Sequence, residues 1–248
     1  MAGRTGIFIQ ARANSSRLPG KIFERLQPDR ADSSVLETIY RRLSGMPHST
    51  CVVLVPDNDP QLRDWCQQRG LQAFAGSEHD VRDRYRKAAA RFGVDVIVRA
   101  TGDNPCVDPE IAAASVQLLR KEQGADLMAY ANLPLGIAVE VFRRSALDSD
   151  VISATLPHRE HVSLHIKHNP DRFRVDHRDH FLTPPRGTAA LPRLTVDTPQ
   201  DLAVVRRVFA ELGSDFRTRD VLELYRQRPE LFAENANVAQ RTFEAVSA

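Results

Sequence analysis

Residues 7–21, IFIQARANSSRLPGK, carry an apolar run straight into a polar turn that holds three cations. Ile7, Phe8 and Ile9 read as a buried strand, because a short continuous apolar run bounded by turn residues suits a strand covered on both faces. The turn is built from small residues, Ala11, Ala13, Asn14, Ser15 and Ser16, and closes with Pro19-Gly20. Small side chains let backbone N–H groups approach an anion, and Gly20 is free to take a positive φ. Arg12, Arg17 and Lys21 stand on the same turn. Cations fixed beside such a turn suit several phosphates at once, which points to a nucleoside triphosphate. The bland reading is a strand-to-helix turn with solvated basic residues; three cations so close around SSRLPGK argue against it.

Outward from this turn, short apolar runs alternate with amphipathic stretches. Residues 34–43 read as a helix capped by Ser34, with Glu37 completing a capping box. Residues 51–55 (CVVLV) read as a strand, 60–69 as a helix stopped by Gly70, and 72–74 as a short strand. A helix over 81–92 is closed by Gly93, a strand follows over 94–99, and Pro109 opens a helix to 122. This alternation predicts an α/β fold of three layers, a mainly parallel (mixed) sheet with helices on both faces. Ligands of such sheets bind outside the carboxyl ends of the strands. The segment TGDNP, 101–105, follows its strand as the cationic turn follows the first, so both fall on one edge.

Beyond residue 129 the pattern loosens. Residues 136–142 alternate like a strand, 155–185 are dense in His, Arg and Pro without a clear assignment, and 194–196 read as a last core strand. Residues 199–212 form a helix with Leu202, Val205, Val208, Phe209 and Leu212 on one face, and 218–227 a terminal helix. No repeat or linker divides the chain. A single domain over 1–248 is expected, with an excursion near 130–190 for acceptor binding or a homodimer contact.

Composition excludes several classes. With 42% hydrophobic and 27% charged residues the chain is of ordinary globular type, and a formal charge of +2 lacks the basic excess of a general nucleic-acid binder. No apolar run is long enough to cross a bilayer, and MAGRTG is not a signal-peptide start. Cys51, Cys66 and Cys106 show no CxxC spacing and read as buried thiols of a reducing compartment, so the cytoplasm is expected.

The segment ARANSSRLPGK resembles the signature loop of sugar-activating nucleotidyltransferases. Within them it is most similar to the cytidylyltransferase branch, which makes CMP-Kdo and CMP-sialic acid, and there to the spore-coat polysaccharide biosynthesis protein F family. The resemblance implies a nucleotide-diphospho-sugar transferase-like fold and attack of an acceptor oxygen on the α-phosphorus of CTP, with release of pyrophosphate. It implies that Arg17 and Lys21 grip the triphosphate, Lys21 at the α-phosphate, with Arg12 toward the β/γ end and Ala11, Asn14 and Ser15 completing the loop. RATGDNPCVDP resembles the family's G-D-x-P-x-x-D-P motif, in which the aspartate matching Asp103 binds Mg²⁺. LTVDTPQD resembles D-T-P-x-D-L, which makes Asp197 the second metal ligand. Lys21, Arg17 and Asp103 are thus the implied catalytic set. GSEHDVRDR resembles a stretch bordering the nucleotide, implying base or ribose contacts for Ser77, Asp80 and Arg84. Glu140, within GIAVEVF, and Arg159, Glu160 and His161, within an R-E-H-V stretch, are implied acceptor contacts. An acidic acceptor needs a further cation, for which Arg159 and Arg143 are available.

Most of these residues have a structural alternative. Gly-Asp-Asn-Pro is turn chemistry by itself, Asp197 leads into a helix cap at Thr198, and Ser77 or Asp80 is a natural N-cap. Asp108 and Asp201 read as turn and helix-start residues. His158, His161, His165 and His168, at offsets of three, seven and ten, lie near one helical face as a zinc site would want, although the matching family stretch is not a zinc motif. Two departures from the family pattern, the polar run QPDRADS at 27–33 and Asn14 in place of Gly, bear on base preference. Other nucleoside triphosphates, a phosphate or phosphonate acceptor, and an inactive nucleotide-binding scaffold therefore stay open. A Rossmann dehydrogenase is a weaker third option, since G-x-G-x-x-G is missing after the first strand.

Overall fold

The computed structural model describes residues 3–122, 124–149 and 156–240. The strand β1 (Thr5–Gln10) lies at the heart of a seven-stranded sheet. On one side it pairs in parallel with β2 (Ser49–Pro56), which pairs in parallel with β3 (Ala73–Gly76). On the other it pairs in parallel with β4 (Val96–Thr101). Beyond β4 come β6 (Glu140–Arg143), antiparallel to both neighbours, then β5 (Leu127–Tyr130) and β7 (Val175–Arg178). The chain leaves β1 toward β2 and later returns to β1's opposite side as β4. That reversal makes the gap above β1 and β4 the switch point at which open α/β sheets bind ligands.

Side-chain alternation along β1 explains the three layers. Ile7 and Ile9 join a core with residues of α1 (Val35–Ser44), α2 (Pro60–Gln68), α4 (Pro109–Lys121), α8 (Pro199–Leu212) and α9 (Thr218–Gln227). Phe8 points the other way, against Tyr85 of α3 (Val81–Phe92) and a core that includes α5 (Arg144–Asp148). The capping box of Ser34 and Glu37 forms as the sequence predicts, and Gly70 and Gly93 take positive φ after their helices.

Several boundaries differ from the sequence reading. The fourth strand starts at Val96, because the Val94 amide donates to the Ala89 carbonyl and completes the close of α3. The strand expected over 136–142 shortens to β6, since Gly136 turns at φ 100 and Ile137 bonds back to Pro134. No strand forms at 194–196; its amides go to the carbonyls of Leu135 and Asp103 instead of a sheet ladder. The region 155–185 holds two short helices, α6 (Leu156–Glu160) and α7 (Leu164–Lys167), and then β7; residues 150–155 lie outside the described range. The histidines therefore share no continuous helical face. His158 and His168 meet edge-on, while His165 is buried with Nε2 3.0 Å from the Ala146 carbonyl oxygen. Among the described residues no three His, Cys, Asp or Glu side chains gather as a metal group, and no helix is long and apolar enough to cross a membrane.

Burial, reinforced by the charge of Arg82, pushes the His165 imidazole down to about 4, against the weaker opposing pull of the Ala146 carbonyl. The unfolded chain then binds this proton more readily than the folded one between pH 4 and 6.5. Stability should rise with pH across that window and level off above it. Chemical denaturation from pH 4.5 to 7.5 checks this: the slope flattens in His165→Gln, and an equal slope in both proteins would assign it to other groups.

Candidate active site

The first loop is shaped by its own backbone. The Ala11 amide donates to the Leu54 carbonyl, and the Gly20 amide returns to the Ala13 carbonyl at 3.1 Å, with Gly20 at φ 71. Asp59, the N-cap of α2, also accepts from the Ala13 amide, so α2 pins the loop. Arg12 and Asn14 stand exposed, and Ser15 and Arg17 are half-buried. Lys21 opens a short 3-10 turn, Lys21–Phe23, that sends its side chain inward.

There Lys21 is buried among oxygens. Its Nζ donates to Asp103 Oδ2 at 3.2 Å, Asp197 Oδ1 at 2.9 Å and the Val196 carbonyl at 2.7 Å. Arg17 Nη2 reaches the same Asp197 oxygen at 2.8 Å. Arg193 holds the other one, Oδ2, at 2.9 Å and Asp201 Oδ1 at 2.8 Å. Burial alone would raise the Asp197 carboxyl, but Lys21, Arg17 and Arg193 outweigh it and hold it below the usual carboxylate range.

The backbone brings these distant residues together. Asp103 sits just past β4, and its carbonyl accepts the Val196 amide at 2.7 Å. The Leu194 amide donates to the Leu135 carbonyl, and Gly136 packs so close that a Cβ there would lie 2.7 Å from Leu194 C. Gly136→Ala should therefore displace the segment bearing Asp197, seen as a loss of stability of about 2 kcal/mol or more in denaturant unfolding. Asp201 accepts from the amides of Asp197 and Thr198 and forms a capping box with Thr198, so it is the helix-start residue the sequence suggests. Asp108 likewise caps α4 and ties it to Thr218.

The 76–84 segment borders the same edge, after β3. Ser77 Oγ accepts from the Asp80 amide, and Asp80 caps α3. Arg84 is 2% exposed, and its guanidinium donates to the Ser77 carbonyl at 2.7 Å. Arg84 thus braces this turn through its main-chain carbonyls. The polar run 27–33 packs against the far end of α8. Gln27 and Arg30 bond to Ser214, past the far end of α8, about 20 Å along that helix from its start beside Asp197.

On the other flank a cavity of about 260 Å³ opens beside Asn104 and Thr101, lined also by Arg99, Tyr130, Glu140, His177 and Arg186. Glu140 accepts from Arg99 at 3.1 Å, from Ser163 at 2.6 Å and from Lys167 of α7. Burial opposes its ionisation, yet Arg99 and Lys167 bring its carboxyl down to about 2. Arg159 and Glu160 are exposed on α6, with Arg159 Nε 3.9 Å from Asp80 Oδ2, and His161 is half-buried. Arg143 cannot serve an acceptor at this edge. It pairs with Val96 at the opposite end of β4 and bonds the carbonyls of Ala125 and Leu119. Sequence reasoning missed Arg193, Arg99, Lys167, Arg186, His177 and Asp59. Arg99 was findable: an arginine inside an apolar strand needs a buried partner. Arg193 also left a trace, four and eight residues before two aspartates.

An open mixed sheet with basic side chains and two carboxylates gathered at its switch point is the arrangement of a nucleotidyltransferase. The chain belongs to the cytidylyltransferase family, whose pattern matches residues 7–235. It is 32% identical to the spore coat polysaccharide biosynthesis protein SpsF of Bacillus subtilis over 233 residues, covering 91% of this chain and 95% of the relative. A solved cytidylyltransferase from Leptospira borgpetersenii superposes with a TM-score of 0.82 at 28% identity, covering 98% of this chain and all of the other. A CMP:2-keto-3-deoxy-manno-octonic acid synthetase solved with CTP shares the fold at a TM-score of 0.62 and 19% identity, covering 84% of this chain and 99% of the other.

Proposed function

We propose that the chain transfers CMP from CTP to a sugar acid or sugar phosphate, releasing pyrophosphate, in the synthesis of a surface polysaccharide or glycoconjugate. The observation that carries this is the meeting of Lys21, Arg17, Asp103 and Asp197 within one ion-pair cluster at the switch point. In the reaction an acceptor oxygen bonds to the α-phosphorus as the bond to the bridging oxygen breaks. Such transfers rest on positioning and charge neutralisation. Lys21 would meet the charge developing on the α-phosphoryl oxygens, Arg17 and Arg12 would hold the departing pyrophosphate, and Ala11, Asn14 and Ser15 would line the loop. Ser77 and Asp80 would border the base or ribose.

The donor set fits Mg²⁺. One oxygen from each of Asp103 and Asp197 already converges on a single cation, the Lys21 ammonium, and hard oxygen donors suit this metal, which commonly uses one or two carboxylates. Bound there, Mg²⁺ would supply neutralisation of phosphate charge. The cavity beside Asn104 suits the acceptor, with Arg99, Arg186 and His177 for an anionic group and Glu140 holding Arg99 in place. His161, Arg159 and Glu160 would close its rim. The same reading includes the cytoplasm as the compartment and a homodimer through the 130–190 excursion, where Phe181 is 88% exposed.

Pyrophosphate release with CTP, UTP, ATP or GTP, Mg²⁺ and a panel of sugar acids and sugar phosphates tests the reading. CTP is expected to lead by at least about tenfold. Tight CTP binding with no release for any acceptor would leave a nucleotide-binding scaffold instead.

A further inference from the structure

An ammonium has three N–H donors, and those of Lys21 face Asp103, Asp197 and the Val196 carbonyl at 3.2, 2.9 and 2.7 Å. None is left for a phosphate oxygen, and the ammonium stands between the two carboxylates that would hold a metal. We infer that Lys21 is the resident counter-cation of the Asp103–Asp197 pair and must be exchanged for the divalent ion, so that metal and nucleotide enter as a coupled pair while the bare ion is kept out. The inference rests on the reading of Asp103 and Asp197 as the metal carboxylates.

Charge and reach both support the exchange. The cluster joins three cations, Arg17, Lys21 and Arg193, to three carboxylates, Asp103, Asp197 and Asp201. A divalent ion arriving alone adds positive charge to a cluster already matched, and it strands a buried ammonium. A metal arriving with a triphosphate comes with about four negative charges against its own two positive ones, and the displaced ammonium gains phosphate oxygens as new acceptors. The flexible four-carbon stem of lysine permits the swing. The carboxylates need not follow it. Arg193 grips Asp197 Oδ2, Arg17 stays on Oδ1, and Asp201 is anchored by Arg193 and Asn235, so Asp197 keeps its place when Lys21 leaves Oδ1. Asp103 is the more open partner, its side chain 29% exposed, and marks the entry side. Linkage then requires that nucleotide raise metal affinity by the same factor as metal raises nucleotide affinity.

Mn²⁺ is the probe, with the free ion counted by electron paramagnetic resonance in wild type, Lys21→Met and Lys21→Gln, with and without CTP. Wild type is expected to bind Mn²⁺ poorly until CTP is added. The two variants should bind it without CTP on the order of tenfold more tightly than wild type, and CTP should add less. Equal, weak binding by wild type and variants without CTP overturns the exchange. If Asp103→Asn at the same time loses Mn²⁺ from the CTP complex, the metal carboxylates stand and the exchange alone fails. If Asp103→Asn keeps Mn²⁺ there, the metal assignment falls and takes the exchange with it. Wild type offers a check that needs no variant, since the chain has only four lysines. The Lys21 ammonium should give a slowly exchanging nitrogen–proton resonance that Mg²⁺ alone leaves in place and Mg²⁺ with CTP moves. A resonance moved by Mg²⁺ alone, or by neither addition, contradicts the proposal.

Discussion

Lys21→Ala is expected to lower turnover by on the order of a thousandfold and to weaken the fold in the same variant. The loss of turnover follows from removing the cation at the reacting phosphate. The loss of stability follows from burial. Read as a loop residue, Lys21 would contribute little to folding, but its side chain is 10% exposed and joined to two carboxylates. Without it, Asp103 and Asp197 face one another across a gap, with Arg17 and Arg193 remaining on Asp197 alone. Breaking a buried ion pair from one side costs roughly 3 kcal/mol. Denaturant unfolding in chelator measures that cost, and repeating it with Mg²⁺ should restore part of it. An unchanged midpoint in chelator would mean that the ion pairs are not formed in solution.

Asp103→Asn should separate the two effects. Among the described residues its carboxylate pairs with Lys21 alone, which keeps Asp197 and the Val196 carbonyl. The structural work of residue 103 lies in its main chain, whose carbonyl receives Val196 and is untouched by the substitution. Stability should therefore shift by less than about 1 kcal/mol, while turnover falls on the order of 10²- to 10³-fold and its dependence on Mg²⁺ weakens. Pyrophosphate release across a Mg²⁺ titration is the measurement. A variant with the wild-type Mg²⁺ response would place the metal elsewhere.

Much of the fold was legible because its first half obeys local rules. Ser34 with Glu37, Pro60 with Gly70, and Val81 to Gly93 mark helix ends through side-chain caps and positive-φ glycines, which need no distant partner. The second half was not. The strands β5 and β7 are each four residues long and take their order from one another, and α6 and α7 are too short to show a helical period. Residues 194–196 are as buried as a strand, yet they bond to turn carbonyls, a choice invisible in their apolarity.

The candidate site divides in the same way. Small residues, a proline–glycine step and three cations after an apolar run were enough to point to a polyphosphate, and the strand before Asp103 was enough to bring it to the same edge. That Lys21 is buried, that Arg84 braces a turn, that Arg143 lies at the wrong end of β4 and that Arg99 and Arg186 line a cavity were decided only by the tertiary structure. Periodicity and capping act over a few residues, whereas the cluster joins positions 21, 103 and 197 through the amide of Val196 and the close approach at Gly136. Neither contact leaves a mark on the sequence around it.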